Sequence, residues 1–236
     1  MIKEAIEKIQ ELNAVEQFEI AGRKYTSKGI VPVKEPLPAV LEVHTLSGLV
    51  DYLSKDVDKL DKAKLFIHVC SPIKVDLRAH FKDGFCERAE YIAATFEPPN
   101  IQCGQYASLE SFIIGLQAFF VPTETSRGIL AVIGNLRDEN ITDFADDGIA
   151  QAVTVKKGVS MRATVPVPNP VTLKPYRTFP EIDQPESLFV FRMRKQEGDA
   201  PQCGLWEADN KQWKIEAVKG IAAWLQERLP EIPIIA

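Results

Sequence analysis

Six prolines between residues 165 and 185 constrain the fold of this chain more than any other sequence feature. They are Pro166, Pro168, Pro170, Pro175, Pro180 and Pro185. Each proline fixes φ at about −65° and removes a backbone donor, so neither a helix nor a central strand can run through the segment. Each proline also restricts the preceding residue to extended conformations. The sequence therefore predicts an extended arm over residues 165–185, partly in polyproline II conformation.

The arm is too apolar to be a disordered linker. Its apolar side chains are Val165, Val167, Val171, Leu173, Tyr176, Phe179 and Ile182. Such an arm has to pack either on its own domain or on a neighbouring subunit. Because the arm is basic and the rest of the chain is acidic, the acidic body of another copy is a suitable surface. We therefore predict a homo-oligomer in which the arm makes intersubunit contacts, with packing on its own strands as the alternative.

The arm and the strand that follows it carry an excess of positive charge. Residues 156–195 contain eight Lys or Arg and three Asp or Glu, a net charge of +5 in a chain whose net charge is −5. Aromatic and basic side chains together hold single-stranded nucleic acids and nucleotides. The candidate ligand-binding residues are Tyr176, Arg177, Phe179, Arg192 and Arg194. Alternatively, Tyr176 and Phe179 anchor the arm to the core. In that case Arg177 pairs with Glu181 or Glu186.

Residues 188–194 show the clearest strand pattern in the chain. Phe189, Phe191 and Met193 alternate with residues of the opposite face, so we expect these three side chains to point towards the core. Residues 202–208 are expected to pair with this strand across a turn at residues 197–199.

The remaining segments predict an α+β fold with mainly antiparallel sheets covered by helices. Apolar residues at helical spacing indicate helices near residues 1–15, 45–57, 108–120 and 213–228. Alternating or continuous apolar runs indicate strands between these helices. We assign residues 1–157 to an α+β body. The arm, a hairpin and a last helix occupy residues 158–236 and are expected to pack on the same domain.

Two segments of the body share one order of predicted elements. In residues 45–96 and in residues 108–156, a helix precedes a buried strand and two further strands. The N-cap residues Thr45 and Ser108 lie 63 positions apart, and the second buried strand is predicted at residues 129–133. An internal duplication would produce this pattern, and so would the ordinary succession of elements in α+β proteins.

Side chains of metal-ligand type are present but poorly spaced. One set is His68, Cys70, His80 and Cys86, and another is Asp143, Asp146 and Asp147. Structural zinc sites normally contain closely spaced ligand pairs, so buried strand residues are the simpler interpretation of the first set. The acidic set precedes a glycine and is typical of a turn. The P-loop, the nucleophile elbow and the His-Glu-x-x-His motif are missing. We therefore predict no metal site, no cofactor and no catalytic residue.

Composition favours a globular cytoplasmic protein. A chain of 236 residues with 45% hydrophobic residues is long enough to bury a sizeable core. The first predicted helix carries charges throughout, so it does not resemble a signal peptide. No apolar run reaches membrane-spanning length. The four cysteines are widely spaced, which indicates buried thiols.

Several short stretches carry a resemblance to a known family. They are KPYRTFPE at 174–181, QPES at 184–187, FVFR at 189–192 and SLESF at 108–112. In these stretches the chain resembles the YfdQ-like prophage family, a group of phage- and prophage-encoded proteins without an assigned activity. The resemblance implies an accessory protein that works in the bacterial cytoplasm.

The function predicted from these features is that of a non-enzymatic, homo-oligomeric phage or prophage accessory or assembly protein. One alternative is a protein that binds single-stranded nucleic acid or a signalling nucleotide through the basic arm. A second alternative is a hydrolase whose site has no recognised motif.

Overall fold

The computed structural model describes residues 2–26, 36–81, 87–137, 140–146, 151–157, 161–195 and 200–236. Within these ranges the helices are Ile2–Asn13 (α1), Leu46–Ser54 (α2), Leu109–Phe119 (α3), Glu124–Arg137 (α4) and Trp213–Arg228 (α5). The strands are Gln17–Ile20 (β1), Arg23–Thr26 (β2), Leu41–Val43 (β3), Leu65–Ser71 (β4), Lys74–Ala79 (β5), Glu90–Thr95 (β6), Tyr106–Ser108 (β7), Asn140–Asp146 (β8), Gln151–Lys157 (β9), Met161–Val167 (β10), Val171–Leu173 (β11), Ser187–Arg194 (β12), Gln202–Glu207 (β13) and Ile234–Ile235 (β14).

Antiparallel pairing dominates the sheets of the described chain. The largest sheet has the strand order β14-β4-β5-β6-β3, with parallel pairs only at its two edges. A second sheet has the order β11-β12-β13-β7, a third has the order β10-β9-β8, and β1 and β2 form a hairpin. Both the α+β class and the mainly antiparallel character predicted from the sequence are confirmed.

The predicted helix starts at residues 45 and 108 are also confirmed. The Thr45 hydroxyl accepts a hydrogen bond from Gly48 N at 3.0 Å, and the Ser108 hydroxyl accepts one from Ser111 N at 3.2 Å. Each of these bonds satisfies a donor that the first helical turn would otherwise leave unpaired. These caps fix the positions at which α2 and α3 begin.

The first core lies between the largest sheet and the helices α2 and α5. Alternate residues of β4 and β5, such as Ile67 and Leu77, point towards the helices and are fully buried. Ile221 and Leu225 of α5 are four residues apart, lie on one helix face and are also fully buried. The first core therefore combines strands from residues 41–95 with a helix near the other end of the chain.

The second core lies between helices α3 and α4 and the sheet that contains β12. Phe189, Phe191 and Met193 of β12 are buried, as the alternating pattern predicted. Phe112 of α3 packs against Phe191 with ring centroids 5.5 Å apart. The predicted pairing of the β12 strand with residues 202–208 is confirmed by the antiparallel β12–β13 register.

The strand predicted at residues 129–133 is wrong, because these residues lie inside α4. Ile129 and Ile133 are fully buried at helical spacing, so a continuous apolar run here serves a helix rather than a strand. The hydroxyl of Thr123 accepts a hydrogen bond from Ser126 N at 3.2 Å and begins the helix. Residues 108–157 therefore have the order helix, helix, strand, strand, and they do not repeat the order of residues 45–96. The turn predicted at residues 197–199 and the last residue of the acidic set, Asp147, lie outside the described residues.

The arm folds onto its own chain. Pro166 lies in β10 and Val171 begins β11, and both strands occupy sheet edges, where a missing donor is tolerated. Leu173 is buried in the second core, whereas Phe179 is buried in the first. Packing on its own strands, the alternative to an intersubunit contact, is thus the observed arrangement. The homo-oligomer stays a prediction, but the apolar side chains of the arm do not supply the reason for it.

Candidate ligand-binding cleft

The arm crosses from one core to the other over residues 174–186, and Gln184 fixes the conformation of this crossing. The Gln184 side-chain oxygen accepts hydrogen bonds from the backbone N–H of Arg177 at 2.9 Å and of Thr178 at 3.2 Å. The Gln184 amide donates to the carbonyl oxygens of Thr178 and Phe179, each at 3.2 Å. Because the prolines limit pairing of this segment with a sheet, the buried Gln184 side chain supplies hydrogen bonds to the backbone that a neighbouring strand would otherwise make.

Contacts with the first core anchor the same segment. The Thr178 hydroxyl donates to the carbonyl oxygen of Pro72, and the Phe179 ring lies 5.9 Å from the Phe96 ring. The carboxylate of Glu181 accepts hydrogen bonds from Ser47 at the start of α2. A carboxylate at this position stabilises a helix N-terminus. The crossing is therefore a fixed element that joins the two cores.

Arg177 sits at the centre of the crossing, and its side chain is only 9% exposed. Its guanidinium donates to the carboxylate of Glu207 and to the hydroxyl of Ser187. The guanidinium also stacks on the Trp213 ring, with its carbon 4.0 Å from the ring centroid. Burial lowers the pKa of Arg177, while the carboxylates of Glu207 and Asp209 act in the opposite direction. Arginine has so high an intrinsic pKa that the group keeps its charge.

A cleft of about 490 Å³ opens beside Arg177, between the two cores. Its walls are largely flat and apolar, and they include Pro72, Pro98, Pro99, Pro175, Ile101 and Trp213. Two buried donors at this place make no hydrogen bond with any described residue, namely Nε of Arg177 and Nε1 of Trp213. Unpaired buried donors cost free energy, so each one in a folded protein needs an explanation.

The thiol of Cys103 also borders the cleft. Burial raises the pKa of Cys103, and the nearby carboxylate of Glu207 raises it further. A thiol in such surroundings stays protonated at neutral pH and is a poor nucleophile. Cys103 is therefore not activated as a nucleophile.

The five residues predicted to bind a ligand do not form one surface. Phe179 is fully buried in the first core, so it anchors the arm and cannot stack on a base. Arg177 pairs with Glu207, not with Glu181 or Glu186. Tyr176 is exposed, and Arg192 lies half-buried on the outer face of β12. The guanidinium of Arg194, on the same strand, covers the Tyr106 ring at 4.0 Å. Arg177 alone of the five borders the cleft.

Glu207 and Trp213 are the residues of this site that sequence reasoning missed. Glu207 ends β13, and Trp213 begins α5. Only the pairing of β13 with β12 and the return of α5 to the first core bring them to Arg177. Neither residue lies within a local motif that could have indicated this contact.

A second polar cluster lies on the outer face of the largest sheet. The Cys70 thiol lies 3.1 Å from His68 Nδ1 and 2.9 Å from a carboxylate oxygen of Asp76. Arg78 donates to Asp76 at 2.7 Å and to Glu90 at 3.1 Å. Although Cys70 is exposed as a residue, partial desolvation of its sulfur and the hydrogen bond to Asp76 raise the pKa of Cys70 to about 11. The thiol is therefore protonated at neutral pH.

The other side chains considered as metal ligands are placed differently. His80 lies against the Phe66 ring, with centroids 6.0 Å apart, and is not part of the cluster. Cys86 and Asp147 lie outside the described residues, and the side chains of Asp143 and Asp146 are not described. The expectation of buried thiols is wrong for Cys70, which is exposed because its strand face points away from the helices.

Comparisons with known proteins identify no relative. No family model matches the sequence, no curated protein is significantly similar to it, and no solved structure matches significantly. In the described part of the chain, no helix has the length and apolar character needed to cross a lipid bilayer.

Proposed function

We propose that this protein is a binding protein that holds a small planar ligand in the cleft between its two cores. The observation that supports this proposal is a pair of buried donors on residues that line the cleft, Arg177 Nε and Trp213 Nε1, which lack a hydrogen-bond partner within the described part of the chain. Both donor atoms are covered in the present arrangement, so a small movement of either side chain would bring its donor to a ligand with acceptor atoms and remove the free-energy cost of leaving it unpaired. Small-molecule sites occur preferentially at boundaries between structural units.

The walls of the cleft restrict the class of ligand. Proline rings and the Trp213 indole form flat apolar surfaces, which favour an aromatic or heteroaromatic body. The volume of about 490 Å³ is typical of small-molecule sites. The charged residues that line the cleft are Arg177, Lys214 and Glu207, so one carboxylate offsets part of the positive charge of the two cations. This balance favours a neutral or singly charged ligand of nucleobase or nucleoside type over a polyphosphate or a nucleic-acid strand.

Isothermal titration of the purified protein with nucleobases and nucleosides tests the proposal. Trp213→Phe keeps an aromatic ring and removes the indole N–H, so we expect about fivefold weaker binding, the effect of one lost hydrogen bond. Trp224→Phe is the matched control, because Trp224 also lies on α5 under an arginine, with Arg228 3.9 Å from its ring, but away from the cleft. The control should bind like the native protein.

Salt dependence separates this proposal from the nucleic-acid alternative. Binding of a nucleoside should change little between low and moderate salt. Binding of single-stranded poly(dT) through the basic arm would weaken steeply with salt. Failure of all nucleobases and nucleosides to bind, or an equal effect of Trp213→Phe and Trp224→Phe, contradicts the cleft as the site.

We also propose that the chain self-associates through α1. One face of α1 carries Ile2, Ile6, Ile9 and Leu12, which are 80, 51, 57 and 73% exposed. A helix of twelve residues is marginal in water without packing of its apolar face. A second copy of the chain supplies an identical apolar face, as in a symmetric dimer interface. The exposed apolar face of α1 therefore supports the predicted homo-oligomer, with α1 instead of the arm as the contact surface.

Light scattering of two double variants tests the self-association. Ile6→Gln with Ile9→Gln removes the apolar face, so the measured mass should fall to that of a monomer. Glu7→Gln with Glu11→Gln introduces the same residue type on the opposite face of α1 and should leave the mass unchanged. A native protein that is monomeric at micromolar concentration contradicts the proposal.

The accessory role in a phage or prophage stays a prediction. The resemblance at residues 174–192 supports it, and those residues include the crossing that carries Arg177. A small ligand-binding protein that self-associates would be consistent with such a role. Detection of the protein in a phage-producing host, bound to other phage proteins, is the measurement that bears on it.

A further inference from the structure

We propose that His68, Cys70 and Asp76 form a site for a divalent transition metal, with zinc as the preferred ion, on the outer face of the largest sheet. The site is independent of the cleft and of the function proposed for it. Each residue offers one ligand atom, and these atoms all lie within 4.8 Å of one another.

The fold places the three side chains together for simple geometric reasons. His68 and Cys70 are two residues apart on β4, so both point to the same face of the sheet. Asp76 of β5 lies directly opposite His68 in the antiparallel register. The sulfur is 3.1 Å from His68 Nδ1 and 2.9 Å from the Asp76 carboxylate. Ligand atoms of a tetrahedral zinc site lie roughly 3.3–3.7 Å apart, so the sulfur has to move a few tenths of an ångström away from its two partners. The ligand atoms of His68 and Asp76, which lie within 4.8 Å of each other, have to approach by up to about 1.5 Å to admit the ion.

The ligand types select the metal. A thiolate, an imidazole and a carboxylate form a set of intermediate softness, which suits zinc and other late transition metals. Magnesium and calcium prefer oxygen ligands throughout. Three protein ligands and the exposure of Cys70 leave a fourth position for water, as in zinc sites that are not purely structural.

The charges around Asp76 permit a metal to replace its present partners. Asp76 is fully buried, and its Oδ1 atom accepts no hydrogen bond from the residues that the structure describes. The nearest cations are Arg78, at 2.7 Å from one carboxylate oxygen, and Lys74, at 3.5 Å from the other. Both cations also reach Glu90, at 3.1 Å and 4.0 Å, so they keep a carboxylate partner when the metal takes Asp76.

Coordination exchanges the thiol proton for the metal. The sulfur–hydrogen bond breaks, the proton passes to solvent, and the sulfur electron pair forms the bond to the ion. Arg78 and Lys74 compete for the carboxylate, so we expect weaker binding than at a closed four-cysteine site.

The probe is Co²⁺, added without oxygen to protein first freed of metal with a chelator. Cobalt bound to a thiolate gives a charge-transfer absorption in the near ultraviolet, and added Zn²⁺ should abolish it by displacement. Cys70→Ser should abolish the charge-transfer absorption. His68→Gln should weaken cobalt binding at least about tenfold, because mutating even a residue that only hydrogen-bonds to a metal ligand lowers metal affinity roughly 10–100-fold.

His80→Gln and Cys86→Ser are the matched controls. They change the same residue types at the two members of the His68, Cys70, His80 and Cys86 set that the proposed site does not use. Both controls should keep the cobalt absorption and its zinc displacement.

Far-ultraviolet circular dichroism shows whether each variant is folded. Absence of the absorption in folded native protein, or its persistence in folded Cys70→Ser protein, overturns the proposal. If both cluster variants are unfolded, Asp76→Asn serves as the test variant, and unchanged affinity of the folded variant overturns the proposal equally.

Discussion

The arm and helix α1 both carry apolar side chains next to charged ones, but they relate to the rest of the molecule in opposite ways. Phe179 of the arm is fully buried, and the neighbouring Thr178 donates its backbone N–H to the Gln184 side chain and its hydroxyl to the Pro72 carbonyl oxygen. Within the described chain, α1 has no buried side chain. The arm has the less regular backbone and the more extensive tertiary contacts. Buried side-chain contacts, more than local backbone regularity, hold a segment in the fold.

The largest expected effect belongs to Phe179→Ala. The ring is fully buried in the first core, so its removal should lower the free energy of unfolding by about 3–5 kcal/mol. Urea denaturation measures this change. Tyr176→Ala alters an exposed aromatic residue of the same arm and should cost less than about 1 kcal/mol. Equal losses for the two variants would show that burial does not distinguish these residues.

Arg177→Ala should lower the free energy of unfolding by about 3 kcal/mol, because it leaves the partly buried carboxylate of Glu207 without its cation. Removing both partners should cost less than the sum of the single changes. A cycle that combines Arg177→Ala with Glu207→Ala measures this coupling, which we expect to be about 1 kcal/mol. Strictly additive losses would mean that the ion pair does not stabilise the crossing.

Gln184→Ala should lower the free energy of unfolding by about 1–3 kcal/mol. The change leaves the backbone N–H groups of Arg177 and Thr178 buried without an acceptor. Gln226→Ala is a suitable comparison, since the Gln226 amide makes one long, exposed hydrogen bond to Pro230. A loss at residue 184 no larger than at residue 226 would contradict the role of Gln184 in fixing the crossing.

The smallest effect is expected on deleting residues 2–16. No side chain of α1 is buried among the described residues, so the free energy of unfolding should change by less than about 0.5 kcal/mol at low protein concentration. The measurement is thermal or urea denaturation of the dilute protein. A loss of more than about 2 kcal/mol would mean that α1 stabilises the fold as the arm does, and the contrast between them would disappear.

Much of the fold could be predicted from local sequence patterns. N-cap residues such as Thr45 and Ser108 marked helix starts, and the alternation at Phe189, Phe191 and Met193 marked a strand with one buried face. The failure at α4 has a physical cause. A short continuous apolar run is compatible with both a buried strand and a buried helix. Its contacts with the rest of the folded chain determine which of the two forms.

The candidate sites could be predicted only in part. The sequence pointed to Arg177, but its partners Glu207 and Trp213 come from elements that meet it only in the folded chain. His68 and Cys70 share a strand face by their spacing alone. Asp76 joins them through the register of the β4–β5 hairpin, which the short turn after Ser71 and a bulge between Val69 and Ser71 set, and our sequence analysis predicted neither of these features.

The parallel pairing of β14 with β4 has a consequence for synthesis on the ribosome. Ile234 pairs with Ile67, so the sheet of the first core gains this edge strand only after residues 68–234 have been made. At translation rates of about 5–20 residues per second, the interval between these two residues is roughly 10–30 s. During that time α5 is also incomplete, and the apolar face of β4 and β5 lacks one of the two helices that cover it. Nascent chains of this protein therefore expose an apolar surface, and we expect chaperones to bind it.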